Sequence, residues 1–244
     1  MMPIVCQLVG VLAVVATLAA CDADPAPSEP PGSAAAHGLW LFGSPTTSPA
    51  ASNTYACSTC HRITPQIADV LALSGAPLAG SVFRTQFWGG AERDFLPAIN
   101  LCRTWFMGAS TPWSAQDKDA QALWAWLETL PAGLPDPVSF TVVASVKPLP
   151  PGDATQGPTV WQRACAYCHG AAHTGKGRIS AQATILPSDF LVGHTKYSAD
   201  ERRLIFAQKV RHGPFLGYGG RMPPFSLEVL PDADLAAVIA WLQL

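Results

Sequence analysis

The run Cys57-Ser58-Thr59-Cys60-His61 recurs as Cys165-Ala166-Tyr167-Cys168-His169. On a helical turn, positions i and i+3 share a face, so the two thiols of each run point the same way. The His that follows offers an imidazole nitrogen beside them. Two thiols for the two vinyl groups of a porphyrin, with an imidazole for its iron, form the attachment signature of c-type haem. A redox dithiol needs no trailing His, and a zinc site would require both C-x-x-C pairs to collapse together. Two copies with His in the same place favour haem over both. The motifs lie almost half a chain apart, which predicts two haem-wrapping units in tandem and two covalently bound haem c groups.

A chain of 244 residues has room for one or two domains. With 49% apolar and 13% charged residues it can bury a core, and a formal charge of −2 provides no basic face for nucleic acid. Of seven cysteines, four belong to the motifs, Cys6 and Cys21 lie near the N-terminus, and Cys102 is left over. An orphan thiol in an exported protein calls for a role.

Export is expected from residues 1–20. Ile4 to Ala20 is apolar but short for a membrane span, and reads as a signal peptide although its n-region lacks Lys or Arg. The ending Leu18-Ala19-Ala20-Cys21 resembles the bacterial lipobox, which implies that Cys21 is lipidated and becomes the mature N-terminus. The expected location is therefore extracytoplasmic, as a membrane-anchored periplasmic lipoprotein of a bacterium. Residues 21–36, rich in Pro, Ser and Ala, read as a flexible tether.

The first unit spans 37–134. It contains a short helix over Gly38–Phe42, a polar loop from Ser44 to Asn53, a helix over Phe95–Met107, and one over Ser114–Leu130 with Ser114 as N-cap. Residues 135–152 form a Pro-rich linker whose β-prone Val138–Val146 stretch is expected to lie extended across one unit. The second unit, 153–244, has helices over Thr155–Ala164 with Trp161 facing inward, Ser198–Val210 with Ser198 as N-cap, and Asp232–Leu244. The units repeat: Met107 precedes Trp126 by the same interval as Met222 precedes Trp241, and Phe42 and Trp161 look equivalent.

Haem iron that only shuttles electrons usually takes a second protein ligand, and thioether sulfur raises its potential. The segment Gly217-Tyr218-Gly219-Gly220-Arg221-Met222-Pro223-Pro224-Phe225 resembles the ligand loop of class I cytochromes c, which implies Met222 on the second iron. In the first unit Met107 is in register with Met222, while Cys102 stands five positions earlier. Five positions on a regular helix subtend about 140°, so the two sulfurs would not face one iron together. The stretch Asn100-Leu101-Cys102-Arg103-Thr104-Trp105-Phe106-Met107-Gly108 resembles the thiosulfate dehydrogenase and sulfur-oxidising dihaem cytochrome group, where such a Cys ligates the first haem. That group's Asn between Met and Gly is missing here, and Arg221 replaces its Lys. Both Met107 and Cys102 stand as candidates.

The wider resemblance to dihaem class I cytochromes c covers nearly the whole mature chain. It implies an all-α protein of two tandem class I cytochrome c-like domains, with the carbonyls of Pro187 and Pro77 holding His169 and His61. His37, His173, His194 and His212 read as surface or loop residues. Arg202, Arg203, Lys209 and Arg211 suggest a face for an acidic redox partner. The expected function is electron relay between redox partner proteins at the membrane. The alternatives are a thiosulfate-dehydrogenase-like oxidoreductase with the first haem catalytic, and a haem-based ligand sensor. Dihaem peroxidases are usually longer.

Overall fold

Two helix crossings, each closed by a glycine, organise the chain. In the first half α1 (Ala34–Gly43) lies on α4 (Lys118–Glu128); in the second, α5 (Gly157–Ala164) lies on α9 (Asp232–Trp241). A Cβ on Gly38 would collide with Ala122 O and sit 2.6 Å from Trp126 Cβ. A Cβ on Gly157 would collide with Trp241 Cβ and sit 2.8 Å from Ala237 O. Only hydrogen fits at either point, so the backbones approach closely. Four residues after each glycine an aromatic ring meets the partner helix's tryptophan. Phe42 lies 4.8 Å from Trp126 and Trp161 lies 5.8 Å from Trp241, centroid to centroid. The repeat expected from Phe42 and Trp161 thus has a glycine member too.

This computed structural model describes residues 32–64, 70–132, 138–141, 143–214 and 220–244. The signal peptide, Cys21 and most of the expected tether lie outside the described residues, as do Pro135 and Gly217–Gly219. The described residues belong to one compact unit, Pro31–Leu244. Among them there is no strand, only an isolated bridge between Phe87 and Glu92, so the described residues form an all-α fold. No described helix is long and apolar enough to cross a membrane.

The remaining helices are α2 (Cys57–Cys60), α3 (Phe95–Trp105), α6 (Ala166–His169), α7 (Ser188–Gly193) and α8 (Ala199–His212). Ser198 caps α8 in a reciprocal pair with Glu201, as its position predicts. Ser114 does not cap α4. Its N–H donates to Asp117 Oδ2 at 2.6 Å in a tight turn, and Asp117 takes the N-cap position. α3 stops at Trp105, short of Met107. The two cores differ in size. The first buries Leu41, Ala122, Leu123, Trp126 and Leu127, whereas the second includes Trp161, Leu235, Val238, Ile239 and Leu242 and also recruits Ala72 from the first half.

The linker is fastened rather than free. Val146 and Leu149 pack on the second core. Thr141 N–H and Oγ1–H donate to the Glu228 carboxylate at 2.9 and 2.5 Å. His212, expected at the surface, is instead buried, with Nε2 donating to Val143 O at 2.6 Å. The expectation for Arg211 also changes. It is 1% exposed, donates to the carbonyls of Phe225 and Ser226, and pairs with Asp232 at 2.6 Å. A guanidinium used to brace the chain from inside presents nothing to a partner.

Gly38→Ala and Gly157→Ala force the crossings apart and should each cost about 1–3 kcal/mol. The Cβ of Gly43→Ala meets nothing within 4 Å and should leave stability nearly unchanged. Chemical denaturation midpoints of the three holoprotein variants check this.

Candidate cofactor-binding sites

Each C-x-x-C-H run closes one side of an apolar cleft. α2 begins abruptly after extended Ala56 (φ −105°, ψ 169°) and carries Cys57 and Cys60; His61 leaves it extended. In the second half α5 breaks at Cys165 and α6 follows directly. His61 Nδ1 donates to Ala76 O at 2.7 Å and His169 Nδ1 donates to Thr184 O at 2.8 Å. In both halves the accepting carbonyl lies fifteen residues after the histidine. A carbonyl can only accept, so the ring proton sits on Nδ1 and the Nε2 lone pair is left to bind a metal. Burial holds both imidazoles below the usual histidine range, which keeps them neutral.

The accepting carbonyls are not those of Pro77 and Pro187. The oxygen of Pro77 takes a bond from Arg84 Nη2, and that of Pro187 takes the Leu191 N–H that opens α7. The loop meets the histidine earlier instead, at Ala76 and Thr184. Gly75 shapes this closure in the first half. A Cβ there would stand 2.5 Å from both Cε1 and Nδ1 of His61. Sequence reasoning passed over Gly75, because a glycine in an unpatterned loop does not announce which ring lies on it.

Burial pushes the thiols of Cys57 and Cys168 up to about 11, and those of Cys60 and Cys165 up to about 12. All four are neutral thiols near pH 7. No disulfide forms among the described cysteines, and no three described His, Cys, Asp or Glu side chains gather as a metal site of their own. Zinc coordination by the two C-x-x-C pairs together does not assemble.

The clefts suit a large flat apolar group. Both are lined mainly by apolar side chains and enclose about 1330 and 1690 Å³, open mouths included. Leu78, Phe95, Ile99 and Leu127 line the first; Leu186, Phe190, Phe206 and Phe225 line the second. Two thiols and one imidazole with a free lone pair open into each, which is the donor set covalent haem requires.

Met222 lines the second cleft. Cys102 and Met107 both line the first, contrary to the expectation that they would face apart. That expectation assumed a regular helix through both. Instead α3 ends at Trp105, the N–H groups of Phe106 and Met107 both donate to Cys102 O, and Gly108 turns the chain at φ +70°. The five-residue bond widens the last turn, and Met107 comes to face the same space. Ser48 Oγ donates to Met107 O at 2.9 Å, fixing it there. Burial, with Cys57 and Cys60 nearby, pushes the Cys102 thiol up. His37, 3.2 Å from Asp119, and His194, stacked on Phe190, line neither cleft, and nor do His173 and His212.

Residues 152–242 match the family model for cytochrome C oxidase, cbb3-type, subunit III. The matched stretch runs from just before α5 to the end of α9 and includes Cys165, Cys168, His169 and Met222. No curated protein sequence matches the chain. A cytochrome c domain over the second half, on an all-α fold, supports a c-type cytochrome and implies covalently bound haem c.

Gly75→Ala should push the His61 ring off its carbonyl bond, at about 1–3 kcal/mol. The expected result is a changed low-spin spectrum for the first site with that of the second unaltered, read by electron paramagnetic resonance of the oxidised holoprotein.

Proposed function

We propose that this chain is an exported dihaem c-type cytochrome, anchored through lipid on Cys21, that relays electrons between redox partner proteins at the membrane. Residues 37–134 then form a first cytochrome unit and 153–244 a second. The observation that carries the reading is the duplicated histidine device. His61 and His169 each follow two half-buried thiols, and each donates to a carbonyl at the same interval. The two glycine–tryptophan crossings support the same duplication.

Bound haem would supply a one-electron couple whose potential a thioether ligand raises and a thiolate ligand lowers. The chain's own residues orient and insulate that couple. The carbonyl bonds fix the tautomer of each imidazole and raise its basicity as a ligand. The apolar linings keep water from the cleft floor. Met222 and, in the first half, Met107 or Cys102 are the candidate opposing ligands. With Arg211 inside, Arg202 and Arg203 are the charges of α8 that would meet a partner's acidic surface, while Lys209 lines the second cleft.

The placement of Cys102 in the first cleft favours a second reading, a sulfur-compound oxidoreductase with Cys102 at its first iron. If thiosulfate fails to reduce the holoprotein and tetrathionate fails to reoxidise it, this reading is lost. Spectra of Cys102→Ala and Met107→Ala assign the ligand, because the variant that leaves the first site unchanged removes its residue.

Pyridine haemochrome assay of purified holoprotein should count two haems per chain, and one in the Cys57→Ala/Cys60→Ala variant. One haem in the unaltered protein overturns the dihaem reading. Cys21→Ser should move the protein from the membrane fraction to the soluble periplasmic extract; continued membrane retention refutes lipid anchoring at this residue.

A further inference from the structure

Four residues line both clefts: Tyr55, Cys60, Ser74 and Pro223. The two cavities therefore share a wall one side chain thick. Cys60 belongs to the first motif, bonds Ser74 through its thiol, and lies close to Cys168 of the second motif. Tyr55 lies close to Cys168, Cys60 and Arg221. Arg221, next to Met222, reaches across from the second half. Its Nη1 donates to Ser52 O at 3.3 Å, and its guanidinium lies against Gly108, the residue after Met107. Leu71, Ala72 and Leu73 of the first half also line the second cleft, and Ala72 N–H donates to Arg163 O at 2.8 Å. The second cleft is not complete within the second half.

Tyr55 comes from a loop that the second half lacks. There α5 runs almost directly into α6, whereas α1 and α2 are separated by residues 44–56. This loop is built to hold its end in place. Asn53 Nδ2 donates to Pro45 O at 2.7 Å and to Tyr55 O at 2.8 Å, and Tyr55 N–H donates to Asn53 Oδ1 at 3.0 Å. The phenol ring is thereby carried into the partition between the two attachment motifs.

We propose that Tyr55 is the positioning residue that couples the two sites: its ring keeps the shared wall dry, so that the charge state of one site is felt at the other. The inference rests on the dihaem reading. One electron taken from an external donor adds one negative charge on one side of the wall, and no bond forms or breaks. Charge–charge interaction scales inversely with the dielectric between the charges, about 20 near a protein surface against about 80 in water. Tyr55 itself gives up no proton near pH 7. Burial, with a lesser effect of the nearby cysteines, pushes its hydroxyl up to about 12. The burial effect persists when those cysteines are thioethers, and the phenol stays neutral.

Interacting centres titrate as a pair and not as two separate groups. Site-resolved spectroelectrochemical titration of the full-length holoprotein should show each site responding to the reduction of the other. Tyr55→Ala, which admits water, should weaken that interaction by up to about fourfold. Tyr55→Phe, which keeps the ring, should retain it. Two independent one-electron curves in the unaltered protein overturn the proposal, and so does full coupling in Tyr55→Ala or lost coupling in Tyr55→Phe. If Tyr55→Ala does not fold, Tyr55→Leu takes its place, and the unaltered protein's curve still decides whether coupling exists. The haem count separates the two readings: one haem per chain removes the dihaem reading itself, whereas two haems titrating independently remove only the role of Tyr55.

Discussion

The hydrogen bond from each imidazole Nδ1 to a backbone carbonyl is the constraint on which both clefts depend. It ties the helical turn that bears the thiols to the loop that forms the facing wall, and so defines the floor of the cavity. It also decides the chemistry of the ring, since the nitrogen left over is the one that can ligate iron. A buried histidine without such a partner would leave a polar N–H unsatisfied at a cost of about 1–3 kcal/mol. The bond therefore serves stability and ligation at once, and Gly75 permits it by leaving room beside the first ring.

The two halves solve the same problem with unequal means. The second has an extensive core and a motif that continues from α5. The first has a core cluster of only five buried apolar residues, a motif that starts without a helix directly before it, and a cleft partly covered by Val138 and Phe140 of the linker. Small domains with little core commonly depend on a covalent cofactor or a neighbour for stability. Ala72 in the second core and Arg221 on Ser52 show the first half leaning on its neighbour. It is also the half that brings two sulfur side chains, Cys102 and Met107, to one cleft, and the half outside the family match. Weaker internal definition and looser resemblance coincide there.

Much of this was legible in the sequence because covalent haem attachment imposes fixed spacing. The two C-x-x-C-H runs, the all-α character, the cap at Ser198, and the pairing of Phe42 with Trp161 all follow from local pattern. What was not legible depends on contacts distant in sequence. Arg211 and His212 look like the basic end of an exposed helix, yet the linker and the Phe225–Ser226 backbone fold over them and turn both into internal braces. Pro77 and Pro187 looked like the anchor carbonyls, but the folded loops bring Ala76 and Thr184 to the rings instead. The end of α3 fell two residues before its expected place, since Phe106 and Met107 are both compatible with helix and the turning Gly108 comes only after them.

The shared wall follows from the same asymmetry. Had the first half been built like the second, α1 would have continued into the motif and no loop would carry Ser52, Asn53 and Tyr55 between the cavities. The longer connection costs ordering entropy, which the Asn53 bonds and the buried hydroxyl of Thr47, donating to Leu41 O and Ser44 O, offset. Such a loop, internally bonded and placed where Cys60 approaches Cys168, is better suited to joining two sites than to separating them. Two clefts that share a phenol ring, a cysteine and a proline are one electrostatic environment, whatever the boundary between the halves along the chain.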